Sequence, residues 1–562
     1  MRRRSGRAGA WGVLLTLALL VGARAQPPQL NPNQTEFPDS SLADLSAPPY
    51  DPALGFLSTN EAGHFVWEDG TRARFWGVNV AAESVFQPVE RIEEAIQAIK
   101  RAGFNLLRIH HVDGTDRGII ASDGDNLVWD QDKLRQLDYW VDRAGQLGLS
   151  VYLDLLDYRD FPGAAELGRA AKPYAVFDQH LIDLQKQYAK AFLRDHRNQF
   201  NGRAYADDPT VVLLELYDEN GLFIRRTDWP GLVQPYRGQL AARWNAWLLE
   251  RYGSSAALSA AWARSGVAQP LPAGQRLESG SVALPNLAKP RDERPMTAAA
   301  RLEQARQADL VRFAADVHRA YFAQMRDYLR DELGVRVPLS AVGDFGHVAD
   351  LAATADELDF IGTNFYWDHP TFRAGRDWQL PFLFRHADPL SETSIYTFAQ
   401  VLATARMQGK PLVVREWNYC APNPHRAGGM VEATAYSALQ DVDAMILFTY
   451  GLRPRPNAVG WFDSQADPVR WGLAGVLGAA WLRGAIQPAL NRIDLGFGEL
   501  DVALARDHAT EVRNLAWVAR LGNRVFDEQL AADAELTIAS GRSGAAKYSG
   551  GPLLLVRRDP AG

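Results

Sequence analysis

Short apolar, β-branched runs alternate with longer amphipathic segments over most of this chain. Continuous apolar runs of this length are typical of strands that are buried on both faces. They lie at residues 75–80, 104–109, 150–155, 211–216, 337–342, 358–362, 411–415 and 444–448. Segments with helical spacing separate them, among them 89–102, 132–147 and 178–192. Eight strands with intervening helices predict an α/β fold, a parallel (β/α)₈ TIM barrel over residues 55–485.

Two parts of the chain depart from this repeat. Residues 222–336 are too many for a single crossover between the fourth and fifth strands, and they contain helical patterns at 236–252, 256–263 and 298–333. We expect an insertion at the top face of the barrel, which either walls a cleft or elaborates the structure away from it. From 486 to 562, weakly alternating segments with glycine-rich turns predict a small C-terminal β-domain.

The first 25 residues have the pattern of an export signal. Arginines at the start precede an apolar run at 13–21, and small residues around Ala25 form a cleavage site. The apolar run is too short for a membrane helix. We therefore expect a secreted or periplasmic protein that is free of the membrane after cleavage, with residues 26–54 as a flexible lead-in rich in Pro, Asn and Ser.

The net charge limits the kinds of partner that the protein can bind, and the cysteine content limits how its fold is stabilised. The formal net charge is -7, and loss of the arginine-rich signal would make the mature chain more acidic. An acidic surface argues against nucleic acid or anionic lipid as a partner. Cys420 is the only cysteine in the sequence, so no intramolecular disulfide can form and the fold depends on its core.

Two glutamates follow strand-like runs about 200 residues apart. Glu219 comes after the apolar run that begins at residue 211, and Glu416 follows the run at 411–415. Side chains at the carboxyl ends of barrel strands face one common mouth. Two carboxyl groups facing one cleft are the usual machinery of glycoside hydrolysis. Either glutamate alone is more typical of a solvated loop or an ion pair, so the prediction depends on the two together.

The residues next to the two glutamates suggest which one keeps its proton and which one stays ionised. Hydrolysis needs one carboxyl that stays protonated and one that stays ionised. A neighbouring negative charge raises the pKa of a carboxyl group, and Glu219 follows Asp218 directly. Glu219 is therefore the better candidate for the acid/base, while Glu416 follows a cation, Arg415.

Four segments resemble clan A glycoside hydrolases, and most closely the cellulase-like enzymes of family 5. They are residues 104–111, 207–220, 359–366 and 413–417. The resemblance implies a retaining mechanism without metal or organic cofactor. It further implies that Glu416 is the nucleophile and Glu219 the acid/base, that Arg108 supports the nucleophile, and that Tyr366 hydrogen-bonds to it.

Three positions depart from the family pattern. Asp218 stands where the clan usually has an asparagine that binds the sugar 2-hydroxyl, and a carboxylate can accept from that hydroxyl but cannot donate to it. Asn364 replaces the sixth-strand histidine of family 5. The eighth-strand tryptophan is not in its usual place, although Trp461 or Tyr450 could supply a stacking surface.

Other residues are candidates for substrate contacts. Of His110 and His111, we expect one to face away from the barrel interior, and we prefer His110 as the functional residue. No third ligand lies at metal spacing, so we predict no metal site. Trp417 and Trp461 either stack on sugar faces or are structural, and residues 243–253 resemble an insertion of bacterial β-galactosidases but fit a core helix better.

The sequence thus predicts a secreted, retaining β-glycoside hydrolase whose substrate is a β-linked oligo- or polysaccharide, namely a glucan, mannan or galactoside. The alternative is a non-catalytic carbohydrate-binding protein on a decayed barrel, which the replacements at Asp218 and Asn364 motivate. A third possibility, transglycosylation, uses the same residues and differs only in whether sugar or water reaches the intermediate.

Overall fold

The computed structural model describes residues 54–525, apart from short gaps, and two strands beyond them. The gaps are residues 116, 123–126, 165, 169–170, 220, 224–228, 230–231, 287–296, 342–347, 377–378, 380, 393–395, 453–459, 498–501 and 503–512. The predicted export signal (1–25) and nearly all of the lead-in (26–54) lie outside the described residues. No described helix is both long enough and apolar enough to cross a bilayer.

Eight parallel strands form one sheet in the order β6-β7-β8-β1-β2-β3-β4-β5. They are β1 (Phe75–Ala81), β2 (Leu106–His110), β3 (Ser150–Asp154), β4 (Val211–Glu215), β5 (Leu339–Ser340), β6 (Ile361–Trp367), β7 (Leu412–Tyr419) and β8 (Ala444–Leu447). The two edges meet at β5, where the Ser340 hydroxyl donates to the carbonyl of Phe360 at 2.7 Å and the amide of Asp359 donates to Leu339 at 2.9 Å. The sheet is thereby nearly closed, and the predicted (β/α)₈ barrel is confirmed.

Ten helices of eight or more residues lie in the described part of the chain. They are α1 (Val89–Arg101), α2 (Gln131–Gln146), α3 (Gln179–Ala189), α4 (Tyr236–Tyr252), α5 (Ser255–Ala263), α6 (Ala298–Asp327), α7 (Val348–Glu357), α8 (Phe398–Ala405), α9 (Arg426–Leu439) and α10 (Pro468–Leu482). Aspartates cap the starts of two barrel helices, because Asp130 accepts from the amide of Lys133 at 3.1 Å and Asp178 from that of Leu181 at 3.0 Å.

Short elements complete the described chain. These are the helical turns Ala82–Ser84, Lys172–Ala175, Tyr205–Asp207 and Leu515–Trp517, the π-helical extensions Lys190–Asp195 and Tyr328–Glu332, and the antiparallel pairs Ser58–Thr59 with Phe65–Val66 and Ile120–Ser122 with Val128–Trp129.

Alternation along the strands divides the apolar side chains between two cores. On β7, Leu412 and Val414 pack outward against the helices, whereas Val413 packs inside the barrel with Leu106 and Phe360. Because both faces of each strand are buried, the strands are apolar at nearly every position. The charged residues that interrupt these runs therefore need partners inside the barrel.

A hairpin closes the bottom of the barrel. Its strands, Ser58–Thr59 and Phe65–Val66, pair antiparallel. The ring of Phe65 lies edge-on to Phe360 and Phe75, at 5.4 and 6.2 Å between ring centroids. With the bottom filled by aromatic side chains, the opposite end is the open mouth.

Helices α4 and α5 belong to the long segment between β4 and β5, and α6 completes it. Trp244 of α4 is buried and stacks on Trp247 at 5.8 Å, and Phe313 of α6 packs against both rings. Trp262 of α5 donates to Asp309 of α6 at 2.8 Å. Trp244, Trp247 and Trp262 therefore hold the helices of this insertion together.

The predicted C-terminal segment (486–562) contains a four-stranded sheet. Its strands are β9 (Arg492–Phe497), β10 (Arg520–Val525), β11 (Leu536–Thr537) and β12 (Ala545–Ser549), in the order β10-β9-β12-β11. The sheet is fixed to the barrel by amide side chains, since Asn523 donates to the carbonyl of Arg406 at 2.8 Å and Gln440 donates to that of Ala516 at 2.7 Å.

His64 ties the bottom hairpin to the segment before β8. Its ring nitrogens lie 2.9 Å from Asp443 and 3.4 Å from Asp441, and Arg72 contacts the same two carboxylates. Burial lowers the pKa of His64, but the hydrogen bonds that its ring donates to the two aspartates outweigh burial, so the net pKa is raised.

We predict that His64→Gln lowers the free energy of unfolding by about 1 kcal/mol at pH 5 and by much less at pH 9. Because the folded-state pKa is raised, the stabilisation is complete below the pKa of the unfolded chain and is lost as the pH rises through the folded value. Urea denaturation at both pH values measures the difference. His180→Gln, at an exposed histidine, is the control, and an equal loss at both pH values would contradict the prediction.

Candidate active site

The guanidinium of Arg108, on β2, lies at the centre of the barrel mouth and is fully buried. It donates to Glu416 at 2.8 Å, to Asp154 at 2.6 and 3.2 Å and to Glu215 at 3.0 Å. Asn79, on β1, accepts from it at 3.1 Å. Carboxylates from three other strands therefore share one cation, which a barrel achieves because all its strands point the same way.

Glu416 is positioned by an irregularity in β7. Thr363 pairs with Val414, but the next residue of β6, Asn364, pairs with Glu416, so Arg415 is an extra residue in the strand. A β-bulge of this kind re-aims side chains. As a result Arg415 and Glu416, although adjacent in sequence, both contact groups of the barrel mouth.

The carboxylate of Glu416 is held in its ionised form. Arg108 donates to one oxygen at 2.8 Å, Tyr366 donates to the other at 2.6 Å, and the ring of His110 lies 3.3 Å away. Burial alone would raise the pKa of Glu416, but the hydrogen bond and charge of His110 and the charge of Arg108 hold it well below the usual range. An ionised, oriented carboxylate suits a nucleophile.

Glu219 has the opposite electrostatics. It lies just beyond β4 with φ at +36°, outside the usual range for a residue with a side chain. Asn364 donates a hydrogen bond to it. Burial, followed by the charges of Asp218 and Glu416, raises the pKa of Glu219 to about 8. A carboxyl that keeps its proton at neutral pH can act as a general acid.

Asp218 is ionised between cations. Its carboxylate lies 2.5 Å from Arg415 and 3.5 Å from Lys172, and the Lys172 ammonium also donates to its backbone carbonyl. Burial opposes ionisation, but Arg415 and Lys172 hold the pKa of Asp218 well below its ordinary value. The departure from asparagine therefore places a full negative charge next to Glu219.

Glu215 braces the floor of the site and was not predicted. It accepts from Arg415, from Arg108 at 3.0 Å and from the Tyr152 hydroxyl at 2.9 Å. Burial raises the pKa of Glu215 to about 7 against the opposing charges of Arg415 and Arg108. The sequence does contain a signal for the role of Glu215, because a charged residue inside the apolar run 211–216 lies in a strand buried on both faces and requires a partner.

The expectation that only one of His110 and His111 faces the barrel mouth is wrong. Their ring centroids lie 3.6 Å apart. His111 has φ at +58°, so the chain leaves the extended conformation directly after β2 and the alternation of side chains ends there. His110 bonds to Asp154 and lies near Glu416, so the preferred residue does reach the site.

The two predicted tryptophans have different surroundings. Trp417 is fully buried on the outer face of β7 and packs edge-on against Trp76 at 5.8 Å, so the structure does not bring it to the mouth. Trp461 is half-buried and lies 5.7 Å from Phe372 and 5.1 Å from Phe382. Its neighbour Phe462 packs on Tyr366 at 5.1 Å, which connects this aromatic group to the candidate nucleophile.

Two residues on the loops after β3 reach the site without a sequence signal. Tyr158 is exposed, and its ring lies 4.5 Å from that of His111. The Lys172 ammonium lies over the Tyr158 ring at 5.1 Å. Partial burial and the charges of Asp218 and Glu219 raise the pKa of the Tyr158 hydroxyl. An exposed aromatic face here can contact a substrate.

Four side chains at the same place could ligate a cation. Donor atoms of His110, His111, Asp157 and Asp218 all lie within 4.8 Å of one another. The sequence predicted no metal site because it showed no third ligand. Asp157, which follows β3, and His111 are the candidate ligands that sequence spacing alone does not reveal.

Comparison with known proteins shows similarity at the level of the fold. No family model matches the chain, and no curated protein matches it by sequence. Among solved structures, a β-galactosidase from the Antarctic haloarchaeon Halorubrum lacusprofundi superposes with a TM-score of 0.51 at 14% identity, over 79% of this chain and 66% of that one.

Two further structures are similar. A β-galactosidase from the psychrophilic Marinomonas ef1 gives a TM-score of 0.51 at 16% identity, over 76% of this chain and 64% of that one. An endo-β-1,4-mannanase from Thermotoga petrophila gives 0.44 at 14% identity, over 76% and 80% of the two chains. This chain thus spans just under two thirds of each galactosidase. The fold expected from the resemblance to clan A glycoside hydrolases is confirmed.

The contacts of Arg415 generate a stability prediction. Arg415→Leu should lower the free energy of unfolding by about 3–5 kcal/mol, because it leaves Glu215 and Asp218 buried without their shared cation. Urea denaturation measures the loss. Arg203→Leu is the matched control, since Arg203 is 56% exposed and its nearest carboxylate contact is 3.9 Å. A loss below about 1 kcal/mol for Arg415→Leu would show that the buried cation is dispensable.

Proposed function

We propose that this protein is a retaining β-glycoside hydrolase. The observation that supports the proposal best is the pair of carboxyl groups at one barrel mouth with opposite pKa shifts. Glu416 is held ionised by Arg108, Tyr366 and His110, and Glu219 is held protonated by burial and by Asp218. This division of roles is what double displacement at a glycosidic bond requires.

In the first step, Glu416 attacks the anomeric carbon and the bond to the leaving oxygen breaks. Glu219 transfers its proton to that oxygen, so the leaving group departs as an alcohol. The product is a glycosyl ester on Glu416. Arg108 and Tyr366 hold the attacking carboxylate. Formation of the ester removes the negative charge to which both residues donate, and this favours release of Glu416 as a carboxylate in the second step.

In the second step, ionised Glu219 accepts a proton from water as the water oxygen attacks the anomeric carbon. The ester bond breaks, Glu416 regains its charge, and the sugar leaves with its original configuration. If a sugar hydroxyl takes the place of water, the same residues perform transglycosylation. Product analysis at high acceptor concentration separates the two outcomes.

We propose a β-linked glucan, mannan or galactoside as the substrate. The structural relatives named above are a mannanase and two galactosidases. Asp218 offers an ionised acceptor to a sugar hydroxyl, and Tyr158 and Trp461 offer aromatic faces. The arginine-rich, apolar start of the sequence supports an exported enzyme.

A non-catalytic carbohydrate-binding protein is the second candidate, because Asp218 and Asn364 depart from the family pattern. The contacts of both residues favour catalysis instead. Asn364 donates a hydrogen bond to Glu219 and so orients it, and Asp218 raises the pKa of Glu219. Binding without hydrolysis across a broad glycan panel would support the second candidate.

We predict that the mature chain from Gln26 hydrolyses at least one aryl β-glycoside or β-polysaccharide, and that Glu416→Gln reduces the rate to background because the amide cannot form the ester. Release of aryl alcohol or reducing ends measures the rate. Glu432→Gln is the matched control, as Glu432 is equally buried but bonds to Tyr419 away from the mouth. Activity that survives in Glu416→Gln would refute its role as nucleophile.

The roles of the two glutamates can be separated with azide. Glu416→Ala should be inactive and should regain turnover with azide, giving the α-glycosyl azide, since azide then attacks directly. Glu219→Ala should hydrolyse substrates with good leaving groups but lose about 10²–10⁴-fold on poor ones, and should give the β-azide. Product configuration is read by NMR. A β-azide from Glu416→Ala would reverse the assignment.

A further inference from the structure

A cluster of two histidines and two aspartates lies beside the proposed acid/base but takes no step in the mechanism as a unit. Donor atoms of His110, His111, Asp157 and Asp218 lie within 4.8 Å of one another. All but His111 are almost completely buried. Ligands bonded to one ion at about 2.0–2.2 Å lie within about 4.5 Å of one another, so only small movements would bring these four to a common centre.

Asp157 provides an independent indication of a missing partner. It is fully buried, and its Oδ1 atom accepts no hydrogen bond in the structure. The nearest cationic atom is Nδ1 of His110 at 3.4 Å. The other oxygen, Oδ2, accepts from the backbone amide of His111 at 2.8 Å. A buried carboxyl oxygen without a partner is costly. Burial raises the pKa of Asp157 well above its ordinary value, so an ion at the centre of the cluster would displace a proton from Asp157 and supply the missing partner.

The surroundings of the cluster resemble the supports of a metal site. Asp154 bonds to Nδ1 of His110, which is the contact that usually orients the ring of a metal-ligating histidine. Asp113 accepts from the amides of Asp157, Tyr158 and Arg159 at 2.7, 3.1 and 3.2 Å, and so fixes the loop that presents Asp157. His111 reaches the cluster only through its left-handed backbone conformation, a strain that concentrates at functional sites.

Cationic side chains of the protein would compete with a metal ion for the negative charge of Asp218. Lys172 lies 3.5 Å from Asp218, and Arg415 and Arg108 contact its other oxygen at 2.5 and 3.6 Å. The two arginines also neutralise Glu215 and Glu416. Carboxyl groups around the mouth nevertheless outnumber the cations even when a protonated His110 is counted with them, because Asp154, Asp157 and Asp113 add to the carboxyl groups. These side chains should therefore lower the affinity of the cluster for a metal ion without abolishing binding.

We propose that His110, His111, Asp157 and Asp218 bind one divalent transition-metal ion of the zinc, cobalt or manganese class. Two imidazoles and two carboxylates favour such borderline ions over calcium, which prefers oxygen ligands alone. Neither Glu219 nor Glu416 is a ligand, but His110 and Asp218 belong to both sites. Because Nδ1 of His110 bonds to Asp154, an ion would bind Nε2 and replace the contact of that atom with Glu416. The proposal does not depend on whether the protein is a glycosidase.

Isothermal titration of the chelator-treated mature chain with Zn²⁺, Co²⁺, Mn²⁺ and Ca²⁺ tests the proposal. The expected result is one equivalent of a transition ion bound with a dissociation constant below about 100 μM, and no such site for Ca²⁺. Bound Co²⁺ should show a visible absorption spectrum that differs from that of the aqueous ion. No binding of any transition ion below about 1 mM would overturn the proposal.

Variants locate the site. Asp157→Asn and His111→Gln should each weaken binding at least about tenfold and change the Co²⁺ spectrum. His64→Gln is the matched control, because His64 also contacts two aspartates but lies at the barrel bottom, and it should leave affinity unchanged. Binding that is unaltered in both ligand variants would overturn the assignment of ligands.

Lys172→Met keeps the test decisive if the ligand variants fold poorly. Removal of a positive charge 3.5 Å from Asp218 should tighten binding by about tenfold, and misfolding cannot produce a gain in affinity. Melting temperatures identify any variant that is not folded. An affinity in Lys172→Met equal to or weaker than that of the wild type would overturn the proposal.

Discussion

The charge balance around one buried guanidinium determines how the barrel mouth is built. Arg108 is in contact with Asp154, Glu215 and Glu416. Burial of any one of these carboxylates without a cation would be very unfavourable, and the shared cations offset that cost for all of them. Arg415 extends the arrangement from Glu215 to Asp218. The acids are therefore interdependent, and the protonation of one is set by the ionisation of the rest.

This interdependence explains why two glutamates in one cleft differ so much. Glu416 is in contact with Arg108, Tyr366 and His110, whereas Glu219 accepts a hydrogen bond from the neutral amide of Asn364. The cations nearest to Glu219 are already occupied by Asp218. Ionising Glu219 as well would add an uncompensated charge in a buried site, and its proton is retained for that reason.

The sequence predicts the fold and the central site well because both depend on periodicity and strand position. The eight strands follow from apolar runs, and Glu219, Glu416, Arg108 and Tyr366 come together because parallel strands all end at one face. The positions of His111 and Arg415 could not be predicted in this way. A left-handed residue after β2 and an extra residue in β7 break the two-residue alternation, and a periodic pattern carries no signal for such breaks.

The join between β5 and β6 gives the barrel wall an uneven stiffness. The other neighbouring strands are joined by parallel ladders, some of them with a bulge. In contrast, β5 consists of Leu339–Ser340 alone and meets the opposite edge through a serine hydroxyl and two loop amides. Strain that widens the mouth would therefore be resisted at this seam by a few hydrogen bonds and not by a ladder of paired residues. Helix α6, continued by the π-helical extension Tyr328–Glu332, leads toward this seam, so the long segment between β4 and β5 ends at the least regular join of the barrel wall.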